Sequence, residues 1–360
     1  MSYERDNIRL MEGYTWGEQP ADESVLKLNT NENPYPPSPA VSAALRDFDA
    51  TVLRRYPPAL ANEFRDTAGA LHGLNRDQVL VTHGGDELLR LAITTFLDPG
   101  TPLGILEPSY SLYPVLAKVQ NCPIVAVPLD AQWLPPADTA TRWNAAGAKL
   151  AMLVNPHAPS GVLIAPAALS RLAAEFRGVL LIDEAYVDFV DPSRNHETTK
   201  LLPAHDNVLL LRTMSKGYSL AGLRYGYALG DGALIAPMLL KTRDSYNIDA
   251  VAQTLATAAL RDQQYARETW RQVRDERARL AANLANLGLS SPDSEANFLL
   301  TTVPDFWPRN AHAVYEALKN ANILVRYFAL PRLDDKLRIT IGTAAQNDRL
   351  LHALQHLLRS

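Results

Sequence analysis

Apolar residues run almost without interruption through several short stretches of this chain. Residues 79–81, 103–106, 150–154, 179–182 and 208–211 are the clearest. A strand covered on one face alternates apolar and polar positions, whereas one buried on both faces reads as a continuous apolar run. Each stretch ends in a polar segment carrying Gly, Pro, Asn or Asp. After the first two, "DELLRLAITTFL" and "SLYPVLAKVQ" show the spacing of amphipathic helices. "NVLLLRTMSKGYSLAGLRYGYALG" supplies two strands around a short turn or helix. Strands alternating with helices in this way predict an α/β fold, a mostly parallel central sheet flanked by helices.

The pattern changes at both ends. Residues 1–30 read as an arm, and "NTNENPYPPSP" at its end is extended and turn-like, followed by a short helix in "VSAALRDF". From 253 onward a long amphipathic helix, "QQYARETWRQVRDERARLAANLANLG", precedes the strand "ANFLLTTV", the helix "AHAVYEALKNAN" and the strands "ILVRYF" and "KLRITIGT". The expected organisation is an arm (1–30), a large domain (31–252) and a smaller α+β domain (253–360). The long helix connects the two domains, its charges forming a solvated face.

Composition narrows the function. The chain has 360 residues, enough for a large core, with 47% hydrophobic and 21% charged residues. A net charge of −4 argues against a nucleic-acid binder. No apolar run reaches the ~18 residues a membrane helix requires. The single cysteine, Cys122, excludes an internal disulfide and suits a reducing cytoplasm. The eight histidines show no metal-site spacing, and no metal is expected.

The candidate chemistry lies where the strands end, the edge at which open α/β sheets bind ligands. "HGGDELL" opens a helix with Gly84, Gly85 and Asp86, an arrangement that offers backbone N–H groups to an anion; Asp86 can equally cap the helix. Asp183 ends a strand buried on both faces, where a carboxylate needs a partner. Asn155 and Tyr186 can each hydrogen-bond a phenolic oxygen, although a turn role and a core role are open to them. Lys216 follows an apolar strand, with Ser215 beside it and Arg224 eight residues on. A lysine acts as a nucleophile when burial or nearby positive charge lowers its pKa, and Ser215 and Arg224 are natural phosphate contacts.

The ordered set "NENPYPPSP", "RYPP", "EPSYSLYP", "NPHAPSG", "DEAYVDF", "RTMSKGYSLAGLRYGY", "ANF", "ILVR" and "LRITIGT" resembles the fold-type I aminotransferases, and among them the histidinol-phosphate aminotransferases. The likeness spans almost the whole chain. It implies a pyridoxal 5′-phosphate enzyme in which Lys216 bonds covalently to the cofactor, Asp183 holds the ring nitrogen, and Asn155 and Tyr186 bond the phenolic oxygen. Tyr110 would stack on the ring. Gly85, Asp86, Ser215 and Arg224 would cradle the phosphate, joined by Tyr56 from the other subunit of a homodimer. Tyr14, Asn297, Arg326 and Arg338 would meet the substrate, the two arginines taking its carboxylate or phosphate. The resemblance implies a cytoplasmic enzyme of histidine biosynthesis that transaminates L-histidinol phosphate with 2-oxoglutarate. Aromatic amino-acid transamination, threonine-phosphate decarboxylation and a non-catalytic binding role on the same scaffold are the alternatives. Two motifs depart from the family's usual form: "THGGDE" replaces "GNGSDE", and "NPHAPSG" places His157 where a second Asn is common.

Overall fold

The computed structural model describes residues 3–359. In chain order its strands are β1 (Leu26–Lys27), β2 (Val79–Thr82), β3 (Leu103–Glu107), β4 (Ile124–Pro128), β5 (Leu150–Val154), β6 (Val179–Asp183), β7 (Val208–Thr213), β8 (Gly226–Gly230), β9 (Phe298–Thr302), β10 (Ile323–Leu324), β11 (Arg326–Tyr327) and β12 (Lys336–Thr340). Seven of them form one sheet in the order β2-β8-β7-β6-β5-β3-β4. β8 runs antiparallel to β2 and β7, and every other pairing is parallel. The link between β7 and β8 holds no crossover helix, so the chain doubles back.

Side chains alternate across this sheet. Ala151, Leu153, Leu180, Ile182, Val208 and Leu210 enter one buried cluster, whereas Leu150, Met152, Leu181, Leu209 and Leu211 enter another on the opposite face. Both faces are covered, which is why the strands read as unbroken apolar runs. The expected α/β architecture is present.

A second core gathers the C-terminal elements. β9, β11 and β12 form an antiparallel sheet in the order β11-β12-β9, and the helices Gln263–Asn286, Ala311–Asn320 and Ala344–Arg359 contribute apolar residues to the same core. The run "ILVRYF" divides at Val325. β10 pairs with β1, and β11 pairs with β12. Leu26 and Leu28 are therefore buried in the C-terminal core. The helix Ala250–Arg261 packs Ala252, Leu255, Ala256 and Leu260 on the large core, so the change of pattern expected at 253 falls inside an element of that core.

The long helix buries Ala266, Thr269, Val273, Arg277, Leu280 and Leu284 along one stripe. Arg277 departs from the expectation that the charges here are solvated. Its guanidinium donates to Glu295 at 2.9 Å and to the carbonyl oxygens of Phe189 and Ala296. The buried charge is tolerated because it is paired with Glu295 and makes two further hydrogen bonds to carbonyl oxygens.

Candidate active site

The C-terminal ends of β3, β5, β6 and β7 open onto a cavity of about 470 Å³, roofed by the C-terminal sheet and the arm. Asp183 is the last residue of β6 and is 5% exposed. Its Oδ2 accepts a hydrogen bond from the Tyr113 hydroxyl at 3.0 Å, and its Oδ1 accepts one from the Ala185 N–H at 3.1 Å. Burial pushes this carboxyl up to about 6, while the two donors pull the other way.

Lys216 lies three residues beyond the end of β7 and points its amine into the same cavity. Its Nζ donates to the Thr30 carbonyl at 2.9 Å. Burial, then the Arg338 guanidinium, lower its pKa to about 8, with Glu32 opposing. The Lys216 and Gly217 carbonyls accept from Asn33 Nδ2, and Trp270 Nε1 donates to Gly217 O at 2.7 Å. The backbone that presents the amine is therefore held at several points.

At one end of the cavity the helix Gly84–Phe96 presents its N-terminus. Gly84 has φ +77°, and a Cβ there would lie 2.6 Å from an Arg224 nitrogen. A Cβ on Gly226 would press on the Gly84 carbonyl carbon at 2.8 Å. Only bare backbone fits this closely, and it leaves room for an anion beside the helix start. Arg224, at φ +58°, approaches Asp86 at 3.4 Å, a loose contact that leaves its donors available. The Ser215 Oγ accepts from Thr213 at 2.9 Å, freeing its own proton to donate.

The Tyr186 hydroxyl accepts from Asn31 Nδ2 at 3.0 Å, and its ring meets Phe298 edge-on. Tyr110 meets Tyr14 and Tyr113 edge-on, with centroids 6.0 and 5.6 Å apart. At the far end Arg326 and Arg338 face each other across the β11–β12 pairing. Both line the cavity, and both guanidinium carbons lie about 5.4–5.5 Å from the centre of the Phe328 ring. One Arg338 nitrogen donates to the Asn29 carbonyl at 3.0 Å, and its Nε is buried without a partner. Neither arginine has a carboxylate partner among the described ion pairs. Two unpaired guanidiniums facing an open cavity form a site for an anion.

Three expected residues are not on the cavity wall. Asn155 is fully enclosed; its amide bridges Ile164 N and O and touches His196. Asn297 is also enclosed and donates to the Asn31 carbonyl at 3.0 Å. Tyr56 is 80% exposed and stacks on Tyr246, away from the cavity of its own chain. His157 is buried between Ser160 and the Pro108 carbonyl, and His83 is exposed.

Other contributors carried no sequence signal as site residues. Asn29, Thr30 and Asn31 bring one backbone carbonyl to Arg338, another to Lys216, and a side chain to Tyr186. Tyr113 reaches Asp183 from the helix Leu112–Val119, and the Phe328 ring lies near both arginines.

The aminotransferase class I and II family matches residues 23–354. The chain belongs to this family. A histidinol-phosphate aminotransferase from Nostoc is 44% identical over 361 residues, covering 100% of this chain and 99% of the relative. One from Microcystis aeruginosa is 42% identical, with 98% of each chain covered. Among solved structures, the histidinol-phosphate aminotransferase of Sinorhizobium meliloti in complex with pyridoxal-5′-phosphate superposes with a TM-score of 0.89 at 23% identity, covering 100% of this chain and 98% of that one. L-threonine-O-3-phosphate decarboxylase from Porphyromonas gingivalis gives a TM-score of 0.78 at 19% identity, covering 93% of this chain and all of that one. At these identities the structural likenesses establish the shared fold. The cavity described above is thus that of an aminotransferase-family member. No helix among the described residues is long and apolar enough to cross a membrane.

Proposed function

We propose that this aminotransferase uses pyridoxal 5′-phosphate to move the amino group of L-histidinol phosphate to 2-oxoglutarate, giving imidazole-acetol phosphate and glutamate. The observation that carries the substrate reading is the pair Arg326 and Arg338, two guanidiniums without acid partners at one end of the cavity. Two such groups accept either a carboxylate or a phosphate dianion bidentately. The full-length relatives point to the same donor.

The residues present fit the cofactor. The close approach at Gly84 and Gly226, the start of the helix and the free Ser215 proton suit its phosphate. Asp183, with its pKa raised by burial, suits a cationic ring nitrogen that would restore its ionised form. When bound, pyridoxal 5′-phosphate supplies an aldehyde for the amine and a protonated ring that draws electron density from the substrate's α-carbon. Lys216, its pKa lowered to about 8, has neutral amine available to hold the aldehyde and then to carry the α-proton. Asp183 would hold the ring nitrogen in its protonated form. Tyr186, whose oxygen accepts from Asn31, keeps its own proton to donate and would give it to the phenolic oxygen. Asn155, enclosed behind the wall, would support it by fixing the segment after β5 through its two bonds to Ile164, and Asn297 would support the Asn31 carbonyl behind it. Tyr110 would pack against the ring, and Tyr14, edge-on to Tyr110, would bring the arm to the substrate. Arg224 and Ser215, with the Gly85 and Asp86 backbone, would hold the cofactor phosphate.

An amino-donor panel tests the reading, with 2-oxoglutarate as acceptor and histidinol phosphate, phenylalanine, tyrosine and threonine phosphate as donors. Histidinol phosphate is expected to give the highest kcat/KM. A higher value for an unphosphorylated aromatic donor, or carbon dioxide released from threonine phosphate as the main reaction, would sink the reading. A charge-assisted hydrogen bond contributes about 1.5–3 kcal/mol. Arg326 is partly exposed, so the lower part of that range applies. Arg326→Ala is therefore expected to lower kcat/KM for histidinol phosphate by roughly tenfold or somewhat more, and by less for phenylalanine. Equal losses for the two donors would remove the phosphate argument.

The same proposal includes a homodimer. Val52, Leu53 and Tyr56 are exposed at 45%, 54% and 80%, and Tyr246, stacked on Tyr56, at 43%. A surface patch of this kind is the mark of an interface. From it Tyr56 would reach the cofactor phosphate of the second subunit. Sedimentation is expected to show twice the 39.6 kDa chain mass, and Tyr56→Phe to weaken cofactor affinity at unchanged mass. A fully active monomer would contradict this.

A further inference from the structure

We infer that Arg332 is a positioning residue that pins the turn between β11 and β12 against the large core, and thereby sets affinity at the arginine end of the cavity. The turn begins with Phe328, whose ring lies near the guanidiniums of both Arg326 and Arg338, and continues through Leu330 and Leu333, all on the cavity wall. Leu333 is 1% exposed and is buried in the core of the seven-stranded sheet, not that of its own sheet. The turn therefore spans the two units.

Arg332 makes the polar half of that attachment. One guanidinium nitrogen donates to the Leu129 carbonyl at 2.6 Å and another to the Asp130 carbonyl at 2.7 Å. Its carbon lies 4.4 Å above the centre of the Trp133 ring. The partners are backbone oxygens and a ring face; among the described residues no carboxylate takes part. A planar fork can meet all three at once and a lysine ammonium cannot. Trp133, 6% exposed, stacks in turn near His157, with centroids 6.1 Å apart. His157 bonds the carbonyl of Pro108, which lines the cavity. A continuous set of contacts thus leads from Arg332 to the wall next to Tyr110. His157, one of the two departures from the usual family motifs, lies in the middle of it.

Arg332 adopts φ +67°, a left-handed backbone that asparagine tolerates. Arg332→Asn removes the guanidinium with little backbone penalty, so the variant should fold. Its expected effect is a rise in KM for histidinol phosphate and for 2-oxoglutarate of roughly tenfold, with kcat and cofactor affinity near the wild-type values. Arg332→Lys should behave like the asparagine variant. Hydrogen exchange should quicken at the amides of Leu333 and Lys336, whose bonds to Leu330 and Leu333 close the turn. The KM readout rests on the proposed donor, but the exchange readout does not. Inactivity of the wild type toward histidinol phosphate would defeat the donor assignment and leave the pin to be judged by exchange alone. Unchanged exchange with unchanged KM would overturn the inference. So would full function in Arg332→Lys, or parallel losses of kcat and cofactor affinity, which would mark a general loss of stability.

Discussion

Lys216→Ala is expected to fold, to bind pyridoxal 5′-phosphate reversibly, and to turn over slower than the wild type by at least roughly 10²–10⁴-fold, the usual contribution of a positioned proton carrier. The loss of the covalent link adds to it. The effect rests on protonation as much as position. An unperturbed lysine holds well under ~1% neutral amine at pH 8. With the pKa lowered to about 8, Lys216 is roughly half neutral there. Only the neutral amine is a nucleophile, so capture of the cofactor aldehyde should become faster as pH rises from 6 to 8, and then level off. Borohydride treatment followed by peptide mass mapping should place the cofactor on the peptide carrying Lys216, and on none in the variant. Turnover close to wild type in Lys216→Ala would show that another group moves the proton.

Asp183→Asn should be the second most damaging change. The substitution preserves shape and removes charge, leaving a ring cation without its buried partner. Breaking a buried pair in this way costs about 3–5 kcal/mol, or roughly two to four decades in turnover. The pH dependence has a definite sign. In the cofactor-free protein, burial raises the Asp183 carboxyl to about 6, so it is ionised above that pH and neutral below it. A cationic ring nitrogen binds the ionised form. Cofactor affinity should therefore weaken as pH falls through 6 in the wild type and lose this dependence in Asp183→Asn. A titration in which both proteins show the same affinity and the same pH profile would dissociate Asp183 from the ring nitrogen.

Asp183 is legible as a buried charge because it ends an apolar run, and Lys216 because it sits in the short polar step beyond one, with Ser215 beside it and Arg224 eight residues on. The sheet is legible for the same reason, its strands being apolar on both faces. Edge strand β4 is not, since it is half-exposed and its pattern is weak. The helix Ala344–Arg359 buries Leu350, Leu351 and Leu354 at helical spacing but carries no chemistry that draws attention to it. Much of the wall is hidden for a different reason. Thr30 acts through its carbonyl, and Arg332 through the carbonyls of two others. Every residue type has a carbonyl, so such a bond leaves no trace in the residue letters. Tyr113 is hidden because it lies on a helix, where an aromatic residue reads as core. Asn155 shows the converse: a residue type suited to the cavity is spent on bridging Ile164.

The stretch from Asn29 to Asn31 is stitched to Lys216, Tyr186 and Arg338 at once, and β1 lies along β10. These partners are separated from it by up to 309 positions of sequence. Contacts of that span form late and slowly in a folding chain. As the protein emerges from the ribosome, the seven-stranded sheet can be complete while its reaction chamber still lacks a wall. The chamber can close only after β12 has been made, so a chain that has made all seven strands of the sheet still has no working catalyst.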